Sequence, residues 1–421
     1  MISTFTIVLI LVVFGLYKTS KGRVLYNDVF WLLVSWILIF GLHFVSGIKW
    51  KYEVSVETVI YIIASMGGYF LFRFFGIHSK IAPDSSSRDI SLRRYNILKT
   101  LGWIGVIIFS TDYIRLNGLF GIGKSQYSIS FIGSLGFLLI PILLVTGLYE
   151  ICDAFIDSRR IPVKAIASLV GYSLPCILNS GRESLLYVII GFIATLYYCL
   201  NYLNRNNPSS RKKLSIKKIV TVIVSAILVI AVGTAIFNSS LSRFGNNEVN
   251  VFLYTHNVPS SIVEEAKKYG PYQFLFYNYI SYFGHQLPFV EYVLRFYQGP
   301  YLLGMYELNI LSRRLPAFLG LDYRLVYMNI DPAFNGSWQT VLGSFIFDFG
   351  KIFTPIVCCI IGLVVGRNRR RLILYPSIQR ATLNSLLCIA MFTTIQLGPF
   401  YNFLVYGSFI WWYIIFGKKH S

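Results

Sequence analysis

"ISFIGSLGFLLIPILLVTGLY", residues 129 to 149, contains no charged side chain. At 1.5 Å of rise per residue, a helix of this length covers roughly 30 Å, the thickness of a bilayer's hydrocarbon core. Working outward, similar apolar runs recur near residues 4 to 17, 29 to 47, 57 to 76, 98 to 111, 163 to 178, 184 to 203, 218 to 237, 339 to 366, 380 to 396 and 399 to 416. Composition agrees: of 421 residues, 55% are hydrophobic and 13% charged, where a soluble domain carries about a quarter charged. The sequence therefore predicts an all-α polytopic membrane protein with about eleven transmembrane helices.

The first run, Thr4 to Leu16, has no basic residue before it and no small-residue cleavage pattern after it. It reads as a retained first helix rather than a signal peptide. All six cysteines (Cys152, Cys176, Cys199, Cys358, Cys359, Cys388) fall in the apolar runs or at their ends. That placement argues against a disulfide framework and against a cysteine-based metal site. Strand-flanked GxGxxG and HExxH patterns are absent from the sequence, which removes the usual signature of zinc chemistry.

The net charge of +20 raises the question of a nucleic-acid partner, and the position of the charge answers it. With the N-terminus outside and the C-terminus cytoplasmic, 24 of the 38 Lys and Arg fall on the inner side, including Lys212, Lys213 and Arg369 to Arg371. The short outer loops hold only Lys49, Lys51, Arg115, Lys124 and Arg182. This is the positive-inside bias of a bacterial plasma-membrane protein, and no basic, aromatic-interleaved soluble face for nucleic acid remains.

The same topology divides the chain into a membrane bundle over 1 to 237, one large external loop over 238 to 338, and a second bundle over 339 to 421. The loop is rich in aromatic residues, among them Tyr272, Phe276, Tyr282, Phe289, Tyr292, Phe296, Tyr297 and Tyr301. Tyrosines in such density suit interfacial helices lying at headgroup level, and they equally suit a surface that stacks on pyranose rings. Tyr269 to Val290 carries no charge, as a re-entrant segment would not. One additional full span there would put Arg367 to Arg371 outside, so the charge rule favours none or two.

Candidate chemistry lies on the outer side. Arg182 and Glu183 sit in the short turn Asn179-Ser180-Gly181-Arg182-Glu183-Ser184 between two spans, where ionisable groups at the membrane are costly and commonly functional. The large loop supplies Arg243, Arg295, Arg313, Arg314 and Arg324 against two lysines, Lys267 and Lys268. A guanidinium binds phosphate through two parallel hydrogen bonds, so these arginines suit an anionic, diphosphate-bearing ligand. Lipid headgroups offer the same chemistry. His285, and less so His256, offers an imidazole able to accept a proton from a hydroxyl. Asp348 and Lys351 stand three apart, a spacing that places them on one helix face as a self-neutralising pair.

With these residues in view, the chain resembles the bacterial Wzy-type O-antigen and capsule repeat-unit polymerases. The resemblance rests on the many-span layout, the single large outer loop in the second half, the Ser180-Gly181-Arg182 turn, and Asn335...Trp338-x-Thr340 followed by Asp348-Phe349-Gly350. It implies an outer-face glycosyltransferase that moves a growing glycan from undecaprenyl diphosphate to the non-reducing end of a lipid-linked repeat unit. That chemistry fits the residues above, with Arg182, Glu183 and His285 as candidate catalytic residues and Arg243, Arg295, Arg313, Arg314, Arg324 and Asn335 as candidate substrate contacts. Neither metal nor cofactor is implied, since arginines can stabilise the departing diphosphate. The implied partners are the undecaprenyl-diphosphate-linked oligosaccharide, membrane lipid and a chain-length regulator protein. Three residues compete as the base: His285, Glu183 and Asp331. An O-antigen ligase-like transferase shares the donor chemistry, and a lipid-linked oligosaccharide flippase or exporter is the rival from another class, although the two similar halves usual there are not visible. A membrane acyltransferase would need an inner acyl-CoA site or a span-embedded histidine pair, and the sequence offers neither.

Overall fold

The computed structural model describes residues 23–45, 50–81, 91–118, 129–158, 160–178, 183–206, 283–308, 330, 340–394 and 402–417. Among the described residues the regular structure is helical throughout, without strands. A short 3-10 turn (Arg23–Tyr26) leads into α1 (Asp28–Val45), α2 (Val56–His78), α3 (Leu92–Asn117), α4 (Phe131–Leu139), α5 (Pro141–Ser158), α6 (Val163–Leu178) and α7 (Glu183–Asn206). The second half contributes α8 (Gln286–Arg295), α9 (Val341–Leu374), α10 (Ile378–Thr393) and α11 (Phe403–Phe416). Among the described residues five helical stretches are long and apolar enough to cross a membrane: Val56–His78, Leu92–Asn117, Phe131–Ser158, Glu183–Tyr202 and Val341–Leu374. Large apolar side chains such as Ile60, Phe74, Ile107, Ile352 and Ile360 lie exposed along them, as lipid-facing residues must. The spans expected near 4 to 17 and 218 to 237 lie outside the described residues.

The helices form two compact units. One groups described residues of Met1–Ser87, Asn246–Arg380 and Leu386–Tyr406, and so holds α1, α2, α8 and α9. The other groups Arg88–Gly245, Ala381–Ser385 and Gly407–Ser421, and so holds α3 to α7. Within the second unit, Asp112 near the end of α3 accepts from the Ser130 backbone N–H at 2.9 Å and the Ser130 hydroxyl at 2.8 Å, which fixes the start of α4. Lys99 and Glu150 pair at 2.7 Å between α3 and α5.

In the first unit α2 packs closely on α9. Gly362 and Gly366 face the backbones of Tyr69 and Arg73, and a Cβ at either glycine would run into their carbonyl groups. Their four-residue spacing is the small-xxx-small pattern by which membrane helices approach without a hydrophobic driving force. Gly366→Leu should therefore force α9 away from α2 and cost about 1–3 kcal/mol or more, visible as a lower Tm and poorer recovery of folded protein in detergent. Beside this seam, Arg73 grips Asp28 of α1 through two parallel bonds, Nε to Oδ2 at 2.6 Å and Nη2 to Oδ1 at 2.7 Å. Tyr69 donates its hydroxyl to the same carboxylate at 2.8 Å.

The span expected over 339 to 366 is not one rod, because α9 breaks at Gly350. That residue has φ 76° and ψ 172°, a conformation essentially restricted to glycine. The two arms fold back on each other. Phe345 before the break and Cys358 after it line one cavity, although a straight helix would hold them about 20 Å apart. The first arm starts deep in the unit, where Val341 N–H donates to the Thr394 carbonyl at 3.2 Å, and runs up to Gly350; the second runs back down along α2. The break also undoes the expected Asp348–Lys351 pair. Asp348 turns away to accept the backbone N–H groups of Tyr306 at 2.8 Å and Glu307 at 2.9 Å, and the Lys351 carbonyl accepts the Tyr61 hydroxyl at 2.8 Å.

Candidate functional site

Carbonyls freed where the first arm of α9 ends need donors, and the loop ahead of it supplies them. Leu302 N–H donates to the Phe347 carbonyl at 3.0 Å and Leu303 N–H to the Asp348 carbonyl at 2.9 Å. Residues 283–308 are thereby drawn onto the Gly350 end of the first unit. Eight of the ten residues of α8 are buried there. Phe289, Tyr297 and Tyr306 pack edge-on around Phe347, with ring centroids 5.8, 4.8 and 5.0 Å away. These loop aromatics are core residues, so α8 corrects the expectation of an interfacial helix in this part of the loop. Their partner is Phe347 on the broken helix, not the headgroup layer.

Polar ties then lock α8 to its neighbours. The Gly284 carbonyl lies 2.9 Å from His43 Nδ1; a carbonyl can only accept, so Nδ1 carries the proton. The His43 ring stacks on Trp50 at 5.5 Å. His285, next in sequence, is 1% exposed at the start of α8. Glu291, 2% exposed, accepts both the backbone N–H and the hydroxyl of Ser55 at 2.8 Å. Ser55 in turn caps α2 by accepting the Thr58 N–H.

One turn beyond Glu291, Arg295 bridges outward. Its Nε pairs with Glu291 Oε1, and its Nη2 lies 3.0 Å from Oε2 of Glu57, which is 83% exposed. An open ring surface adjoins this bridge. Tyr52 sits 5.0 Å from Tyr292 and 5.5 Å from Phe296, with the Lys51 ammonium 5.5 Å from the Tyr52 centroid. Phe296 and Tyr301 remain exposed. The result is a surface of aromatic faces, two cations and an exposed carboxylate, set on a rigid base. Such a surface can stack on sugar rings and hold an anion. An anion has to displace only the exposed Glu57, and an exposed ion pair is worth about 0–1 kcal/mol.

Burial alone would raise the Glu291 carboxyl, but the Ser55 and Thr58 hydrogen bonds and Arg295 outweigh it and hold the group below its ordinary value. A carboxylate depressed on folding contributes stability that is present above its unfolded pKa and is lost as pH falls through its folded one. Thermal melts below about pH 4.3 should accordingly fall more steeply for the wild type than for Glu291→Gln, whose side chain does not titrate. Parallel melt-versus-pH curves would remove Glu291 from this role.

Of the other predicted site residues, Glu183 is described as the first residue of α7, where a carboxylate complements the helix dipole. It lies in the second unit, within electrostatic reach of Tyr172 and Cys176. His285 and Arg295 belong to the first unit. Arg182, Arg243, Arg313, Arg314, Arg324 and Asn335 lie outside the described residues. Sequence reasoning missed Glu291, Glu57 and Tyr52, although the four-residue step from Glu291 to Arg295 signals a pair on one helix face.

These observations define an all-helical membrane protein carrying a cation-and-aromatic surface at one end of its first unit. No family model, curated protein or solved structure matches the chain.

Proposed function

We propose that this protein is a polysaccharide polymerase of the outer face of the bacterial plasma membrane. It transfers a growing glycan from undecaprenyl diphosphate to the non-reducing end of a lipid-linked repeat unit. The observation that supports this reading best is the surface built by Arg295, Glu57, Tyr52, Phe296 and Tyr301. Aromatic faces suit the sugars, and a half-exposed guanidinium with a displaceable partner suits the diphosphate. In this reading the Gly350 end faces outward, the N-terminus is outside, the C-terminus is cytoplasmic, and a chain-length regulator is a further partner. In the same reading the sequence turn at Arg182 and Glu183 carries the chemistry: Arg182 stabilises the departing diphosphate, and Glu183 orients it or helps activate the acceptor hydroxyl.

Deletion of the gene followed by glycan gel analysis tests the reaction class. Loss of the polymer ladder with a single repeat unit still attached supports a polymerase, whereas loss of all surface glycan points to a ligase or flippase. Arg182→Ala and Glu183→Gln should each insert normally, melt within a few degrees of wild type and fail to extend a purified lipid-linked repeat unit. Normal extension by either variant removes that residue from the site. Disappearance of both from the membrane makes the pair structural.

A further inference from the structure

The fold-back of α9 leaves a notch between its arms, closed by α1, α2 and the end of α10. The cavity there is about 40 Å³ and its walls are almost wholly apolar. Among the side chains with polar atoms that line it are Trp36 and Ser65, which are 1% and 0% exposed. Neither the Trp36 indole N–H nor the Ser65 hydroxyl has a hydrogen-bond partner among the described residues. Ser65 differs from several helix hydroxyls of the described residues. Ser173, Ser385 and Thr354 each donate to the carbonyl four residues back, at 3.1, 3.1 and 2.8 Å, whereas Ser65 leaves its own helix unbonded. An orphaned polar group in such surroundings costs about 1–3 kcal/mol, so two lining one small cavity call for a ligand. Thr394, whose hydroxyl lies 3.2 Å from that of Ser35, adds a further polar side chain to the wall.

We propose that this notch is a built site for water. The indole N–H can only donate, the serine hydroxyl can donate or accept, and the threonine oxygen can accept. One oxygen-centred ligand with two hydrogens meets all three, which is the usual number of partners for a buried water. At roughly 10–15 Å³ per water, the cavity admits one to three. A bare anion is disfavoured by the apolar walls, and the neighbouring Arg73 is already matched by Asp28. A water so placed joins α1, α2 and the end of α10 through Trp36, Ser65 and Thr394, beneath the apolar side chains of both arms of α9.

The test uses full-length protein in detergent with 15N-labelled tryptophan. The Trp36 indole signal is assigned by its loss in Trp36→Phe. A bridging water predicts a cross-peak from that indole proton to a long-lived water, and a reduction of the cross-peak by at least half in Ser65→Ala, a change small enough to leave the helix intact. No water cross-peak, together with a shift of the Trp36 signal under a few atmospheres of xenon, shows a dry apolar cavity and overturns the proposal. A cross-peak that Ser65→Ala leaves unchanged overturns it too, since the water then does not bridge the two side chains.

Discussion

Replacing Arg73 by alanine is expected to cost about 3–5 kcal/mol, the loss seen when one partner of a buried ion pair is removed, and to leave little folded protein in the membrane. Asp28 is 0% exposed and is held by Arg73 through both carboxylate oxygens. Without the guanidinium, the Tyr69 hydroxyl is its remaining side-chain donor among those described, too little for a buried charge. Arg73→Lys should fall between, since an ammonium keeps the charge but cannot form both parallel bonds. The informative variant is the double replacement Asp28→Leu with Arg73→Met. If the pair is costly to bury, as such pairs usually are, the double variant should recover most of the stability lost by either single change. An Arg73→Ala protein that melts like wild type would show that Asp28 finds other partners. A double variant no better than the singles would show that the pair, with Asn27 2.9 Å from Arg73, does more than neutralise itself.

Apolar runs made most of the described helices legible in the sequence, because crossing a bilayer demands a length and a composition that little else demands. The runs near 29 to 47, 57 to 76, 163 to 178 and 184 to 203 coincide closely with α1, α2, α6 and α7. The break in α9 was not legible, since hydropathy averages over residues and carries no information on the sign of φ at Gly350. A signal was nevertheless present: the apolar run over 339 to 366 is about 42 Å as a straight helix, longer than a bilayer's core. A re-entrant segment was one reading of Tyr269 to Val290, of which residues 269–282 lie outside the described residues; the fold-back among the described residues lies at 341 to 350. The reason is that Phe347 needs partners, and the loop aromatics provide them. Because a folded-back arm starts and ends without crossing, it leaves the number of crossings before Arg367 to Arg371, and hence the charge argument, unchanged. The site was half legible. Arginine chemistry pointed to Arg295, while its exposed partner Glu57 comes from α2, which meets α8 in space although more than two hundred residues away in sequence.

Arg295→Lys should lower kcat/KM for extension of a lipid-linked repeat unit by about 10- to 100-fold while the protein melts within a few degrees of wild type. The charge is retained, so the contact with buried Glu291 persists and the packing of α8 survives. What is lost is the planar fork that presents two parallel donors to a phosphate, the feature that separates arginine from lysine at bidentate sites. A tenfold loss corresponds to about 1.4 kcal/mol, within the range of a single charge-assisted hydrogen bond. Glu57→Gln supplies the opposite arm of the test. If Arg295 holds the donor diphosphate, as proposed, Glu57 competes with it, so removing the Glu57 charge should lower KM without raising Tm, because an exposed pair contributes about 0–1 kcal/mol. If Arg295 serves only to fasten α8 to α2, both responses change in kind: Glu57→Gln loosens the contact and leaves KM alone, and Arg295→Lys extends glycan at the wild-type rate. Measuring melting and kinetics on the same preparations separates the two roles, since a fastening residue moves Tm and an anion-binding one moves kcat/KM.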